Sequence, residues 1–98
     1  MPESLVVPRF FFHLVDDIDA LLDRDGQEVA AHDIPQTALK AARDCMAGDV
    51  QEGRLDLGYS IEVHDEAGHL IHSQPFGDSV EIVRQDAPAQ PPLRPRSP

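Results

Sequence analysis

Tyr59-Ser60-Ile61-Glu62-Val63-His64-Asp65-Glu66-Ala67-Gly68-His69-Leu70-Ile71-His72-Ser73-Gln74-Pro75 is the stretch on which the fold turns. Tyr59, Ile61 and Val63 alternate with Ser60, Glu62 and His64, the period of two expected of a strand with one buried face. Asp65-Glu66-Ala67-Gly68 supplies turn chemistry, and a glycine in the left-handed region closes a three-residue hairpin loop. That loop sets Val63 opposite Ile71 and Ile61 opposite Ser73. It also sets Glu62 opposite His72 and His64 opposite Leu70 on the other face. A one-residue slip would put Ile61 against His72 and mix the two faces, so the first register is expected.

The preceding segment reads as a helix from about Pro35 to Glu52. Proline suits the first helical turn, and Asp33 lies close enough to help cap it. Ala38, Leu39, Ala41, Ala42, Cys45, Met46 and Val50 form an apolar arc opposite Gln36, Lys40, Arg43, Asp44 and Gln51. The alanines allow a close approach to a sheet. Gly53 is the expected stop.

Arg9 to Val15 carries Phe10, Phe11 and Phe12 in succession, with His13, Leu14 and Val15 after them. A strand apolar on both faces belongs in the middle of a sheet or at an association surface. Asp23-Arg24-Asp25-Gly26, with Leu21 and Leu22 before it and Val29 after it, predicts a short hairpin. Val80-Glu81-Ile82-Val83 adds a last apolar segment. The pattern predicts a small two-layer α+β domain with one helix across an antiparallel sheet of about four strands, in ββαββ-like order. Residues 1–8 are expected to form a flexible leader and 9–86 the single domain. Residues 87–98, with five of the nine prolines, are expected to be a disordered tail.

The chain has 98 residues and a net charge of −10. Between Arg9 and Asp86 there are 17 acids against 6 bases. A field of that sign repels phosphate backbones and anionic lipid, so neither nucleic acid nor a membrane surface is an expected partner. Cys45 is the single cysteine, which forbids an internal disulfide and fits a reducing cytoplasm. The apolar residues near the N-terminus are interrupted by Pro8 and Arg9 and do not read as a secretory leader. No P-loop, dinucleotide fingerprint or nucleophile elbow occurs, and no cofactor is expected.

Pro8-Arg9-Phe10-Phe11-Phe12-His13 resembles the Pro-Arg-Tyr-Phe-Phe-His opening strand of a family of short, mostly alphaproteobacterial proteins that form a domain of unknown function. The Asp23 to Gly26 turn, Asp33 before the alanine-rich helix, and the Ile61 to Gly68 hairpin followed by Pro75-Phe76 also resemble it. The resemblance spans about Pro8 to Val83. It implies a small cytoplasmic bacterial α+β protein and brings no catalytic residues.

Glu62, His64 and His72 would share one face of the expected hairpin, where they could hold zinc with a water in the fourth position. The plain structural reading is a polar sheet face with a Glu–His cross-strand pair. Asp16, Asp17, Asp19, Asp23 and Asp25 crowd one loop and could shift each other's ionisation or hold calcium, but they lack the EF-hand spacing and suit solvated turns. His13 inside an aromatic strand fits a hydrogen-bonded structural histidine better than a base, and Cys45 on the apolar arc reads as an inert thiol. Phe10, Phe11 and Phe12 are the expected interaction residues, because one helix covers one face of a sheet and at least one phenylalanine faces the other. The favoured function is a non-enzymatic interaction module, possible as a homodimer or with another protein. The alternative is a small metal-binding or hydrolytic protein that uses the hairpin Glu/His face.

Overall fold

β1, from Arg9 to Val15, holds the centre of the sheet in the computed structural model, which describes residues 7–84. The expected leader lies mostly, and the proline-rich tail entirely, outside the described residues. On one side β1 pairs antiparallel with β4, Ser60–His64, in the register Phe11 to His64, His13 to Glu62 and Val15 to Ser60. β4 pairs in turn with β5, Leu70–Pro75. On its other side β1 meets two short pieces in tandem. β2, Ala20–Leu21, pairs with Val15 and Leu14, and β3, Gln27–Glu28, pairs with Phe10 and Arg9. The domain is α+β; its described residues form one α-helix on an open antiparallel sheet, in the order βββαββ.

The expected hairpin around Asp23 to Gly26 is corrected by this pairing. β2 and β3 do not pair with each other; they form one interrupted strand along β1. Seven residues of β1, Arg9 to Val15, face the nine from Ala20 to Glu28, so residues 22–26 bulge out as an arch. β1 needs a partner on this edge, and that demand outweighs the local turn preference of Asp23 to Gly26.

α1 spans Ile34–Gln51 and buries Ile34, Ala38, Ala42 and Met46, a stripe with a spacing of four. The stripe packs on Phe10, Ile61, Val63, Val29 and Phe76, with Phe12, Leu14, Ala41, Cys45, Tyr59 and Val80 around them. Val50, expected on the apolar arc, is largely exposed. The helix begins one residue earlier than expected. Ile34 takes the helical conformation although Pro35 follows it, because its side chain is buried at 2% exposure in the core. The Asp33 carboxylate makes no capping bond; instead the Thr37 hydroxyl donates to the Asp33 carbonyl at 2.8 Å. At the far end the Gly53 N–H donates to the Val50 carbonyl and the Arg54 N–H to the Asp49 carbonyl. These paired bonds satisfy carbonyls that the helix leaves open.

Beyond β5, Phe76 turns inward at 1% exposure, beside the Tyr59 ring. Ser79 is buried, and its polar groups are bonded. Its hydroxyl donates to the Pro75 carbonyl and accepts from Gln74 Nε2, its N–H donates to the Phe76 carbonyl, and its carbonyl accepts from Arg43 Nε at 2.8 Å. This network pins residues 75–79 between sheet and helix.

Ala38 and Ala42 are both fully buried, so the space between helix and sheet is filled by backbone and methyl groups. Ala42→Leu is expected to destabilise the domain by about 1–3 kcal/mol through overpacking. Urea unfolding is the check; an unchanged midpoint would mean that the helix stands off the sheet.

Candidate functional site

The face of the sheet away from α1 carries Phe11 and His13 from β1 and Glu62 and His64 from β4, which face each other across the ladder. The arch folds onto this face, and Asp23 holds it there. The edge between β2 and β3 leaves the Phe12 N–H without a backbone partner, and Asp23 Oδ2 accepts it at 3.1 Å. Asp23 Oδ1 accepts from the Gly26 and Asp25 amides, and the Asp23 N–H donates to His13 Nδ1 at 3.0 Å. Gly26 sits at φ +68°, and a Cβ there would come within 2.8 Å of both the Phe10 carbonyl oxygen and the Phe11 ring. The arch can lie this close only because that position has no side chain.

The expected interaction residues are therefore occupied within the chain to different degrees. Phe10 is in the core, Phe12 packs against it, and Phe11 is half-buried between the arch and the His13 ring.

His13 and His64 have ring centroids 4.9 Å apart. His64 Nδ1 lies 3.1 Å from the Gly68 carbonyl oxygen, and its Nε2 lies 3.3 Å from Glu62 Oε1. Both partners are acceptors, and a neutral imidazole can donate to only one of them at a time. His13 accepts through Nδ1, which needs that nitrogen unprotonated. Burial, and then the neighbouring His64, hold the His13 imidazole below its ordinary value, against the opposing pull of the Asp23 and Glu62 carboxylates. Hairpin reasoning alone missed His13 here, because the meeting depends on β4 lying beside β1.

The hairpin register is corrected at one point. Asp65 and His69 close the three-residue loop as expected, with the Asp65 N–H on the His69 carbonyl and Gly68 at φ +88°. His64 faces Leu70, also as expected, but a bulge at Ile71 then sets Val63 opposite His72, Glu62 opposite Ser73 and Ile61 opposite Gln74. His72 thus shares the helix side with Val63, away from Glu62 and His64, and its Nε2 lies 3.3 Å from Gln74 Oε1. Among the described residues, no group of three or more His, Cys, Asp or Glu is placed to hold a metal ion. The bulge lets Gln74 reach Ser79, and the alternation of apolar residues could not reveal that polar demand. Ile71 and His72 line a cavity of about 590 Å³ with Pro8, Phe10, Ile34 and Pro35 at the end of the sheet.

The acidic loop is turn chemistry. Asp16 Oδ1 accepts from the Ile18 and Asp19 amides, which hold its carboxyl below the usual range, and Asp19 Oδ1 accepts from the Ala20 amide. Burial, with Asp49 and Asp44 nearby, pushes the half-buried Cys45 thiol up, away from the reactive thiolate.

The two edges of the sheet differ. The β2–β3 edge is interrupted and carries Asp16, Asp17, Asp19, Asp23, Asp25 and Glu28 along its turns. β5 pairs only with β4 among the described residues. It lies within Ala67–Gly77, the longest run of the chain without Asp, Glu, Lys or Arg. Leu70 is 56% exposed and Ile71 46%.

A family model described as Domain of unknown function (DUF6894) matches residues 9–77. The chain belongs to this family. The matched span of this DUF6894 domain contains α1 and strands β1 to β5, every helix and strand of the described residues apart from the short 3-10 turn that runs past its end. No curated protein and no solved structure matches the chain. Among the described residues of this DUF6894 chain, no helix is long and apolar enough to cross a membrane.

Gly26→Ala is expected to destabilise by about 1 kcal/mol or more, because the left-handed backbone and the crowding by Phe10 and Phe11 act together. Equal melting temperatures for variant and parent would show that the arch does not press on β1. A second expectation concerns pH. The folded state favours neutral His13, so its contribution is complete above the ordinary histidine value and is lost as pH falls through the lowered one. His13→Asn keeps an acceptor for the Asp23 N–H but does not titrate. Its stability should fall less steeply than that of the parent from about pH 7 to about pH 5. Parallel profiles from chemical denaturation would remove His13 from the account.

Proposed function

We propose that this domain is a non-enzymatic interaction module that works by accepting an extended strand along β5. The observation that supports it is the contrast between the two sheet edges. Soluble proteins guard open edges with charge, interruption or cover, because unpaired backbone groups recruit other strands. The β2–β3 edge has both charge and interruption. β5 carries no charged side chain in a protein with 26 of them, and exposes Leu70. Its bulge lies at Ile71, toward the hairpin end, and Pro75 ends it, so the strand between them remains regular. Strand addition draws affinity from main-chain hydrogen bonds, which need no substrate pocket or cofactor. The cavity beside Ile71 and His72 gives room for an apolar side chain of an added strand. The domain's charge disfavours nucleic acid in this role and leaves protein as the partner.

The test is amide hydrogen exchange on dilute protein, read residue by residue. Amides of β5 that do not bond to β4 are expected to exchange like solvent-exposed backbone, while the Phe12 amide held by Asp23 is protected. Protection of all β5 amides in a monomer would mean that the chain covers its own edge, and would end this reading.

A further inference from the structure

We infer that the strand completing β5 is the β5 of a second copy, so that two chains form a closed dimer with a continuous sheet; the inference rests on the edge-docking reading above. Three observations carry it. The first is closure. Among the described residues each chain has one regular open edge, since the other is interrupted by the 22–26 arch and lined with carboxylates. Antiparallel pairing of β5 with its own copy about a two-fold axis uses the open edge of both chains at once. Among the described residues nothing of the same kind is left to recruit a third copy, so assembly stops at two.

The second is charge. Two chains at −10 repel each other over most of their surfaces. β5 is the strand along which they can meet without desolvating a carboxylate, since Ala67–Gly77 holds none. The third is the side chains at the seam. Leu70 and Ser73 stand on the outer side, opposite His64 and Glu62, and a paired copy brings a second Leu70 and Ser73 onto the same side. That shelters Leu70, which the single chain leaves exposed. Pro75 has no N–H to donate and Ile71 is bulged, so the regular pairing is confined to His72–Gln74, with Leu70 flanking it.

Sedimentation velocity of the full chain from low to high micromolar concentration tests this, alongside the double variant Leu70→Lys and Ser73→Lys. The new side chain of Ser73→Lys would face Glu62 within the chain, which favours the folded monomer, while four lysines would crowd the seam of a dimer. The expected result is a monomer–dimer equilibrium that tightens as salt rises, with a dissociation constant about tenfold or more higher in the variant. Circular dichroism confirms that the variant is folded; if it is not, Ser73→Lys alone serves. A parent that stays monomeric, with β5 amides exchanging freely, overturns the second-copy inference and leaves the module open to another protein. A dimer that the lysines do not weaken, or oligomers that grow beyond two, overturn it as well. Protected β5 amides in a monomer would overturn the module reading itself.

Discussion

Three phenylalanines in succession on a single strand set the terms for everything else. Side chains alternate across a strand, so Phe10 and Phe12 take one face and Phe11 the other, and both faces of β1 need cover. The helix answers on one side. Its stripe of Ile34, Ala38, Ala42 and Met46 meets Phe10 and β4 with little between backbone and backbone. On the other side a second helix would be the usual answer, and the described residues hold none. The cover comes from a bulge in the neighbouring strand, drawn down over Phe11 by a single carboxylate.

Asp23 links these levels. It accepts the amide of β1 that the interrupted edge leaves open at Phe12, organises its own turn through Asp25 and Gly26, and donates its N–H to His13. A buried backbone donor without a partner costs free energy comparable to a lost hydrogen bond. A broken strand is therefore stable only where a side chain replaces the missing ladder bond. The same arch makes that edge unfit for another strand. One local device thus covers Phe11 and guards an edge, and it leaves β5 as the edge on which association can act.

The acidic character of the chain bears on association more than on the fold. Many carboxylates are exposed or used as turn caps, as Asp16 and Asp65 show by accepting backbone amides. In the dimer proposed here, their summed field keeps the molecules apart except along an uncharged strand. Specificity of this kind needs few contacts, because repulsion elsewhere removes the competing arrangements.

The sequence by itself determined the elements and their faces. Period-two alternation from Tyr59 to Val63, the loop closed by Gly68, the apolar arc of α1 and the two-faced β1 all follow from local spacing and turn stereochemistry, which act within a few residues. It determined the acidic field in the same way, by composition. Tertiary structure alone decided the rest. It converted the Asp23 to Gly26 turn from a hairpin into an arch, because β1 required a partner along its edge. It began the helix at Ile34 against the preference of a residue before proline, because the core required that side chain. It placed a bulge at Ile71, which carried His72 away from Glu62 and His64, and it brought His13 to His64 instead. Each of these depends on which strands lie side by side. Contacts between residues roughly ten to fifty positions apart leave no periodic mark on the chain, since the backbone satisfies them by pairing and not by spacing.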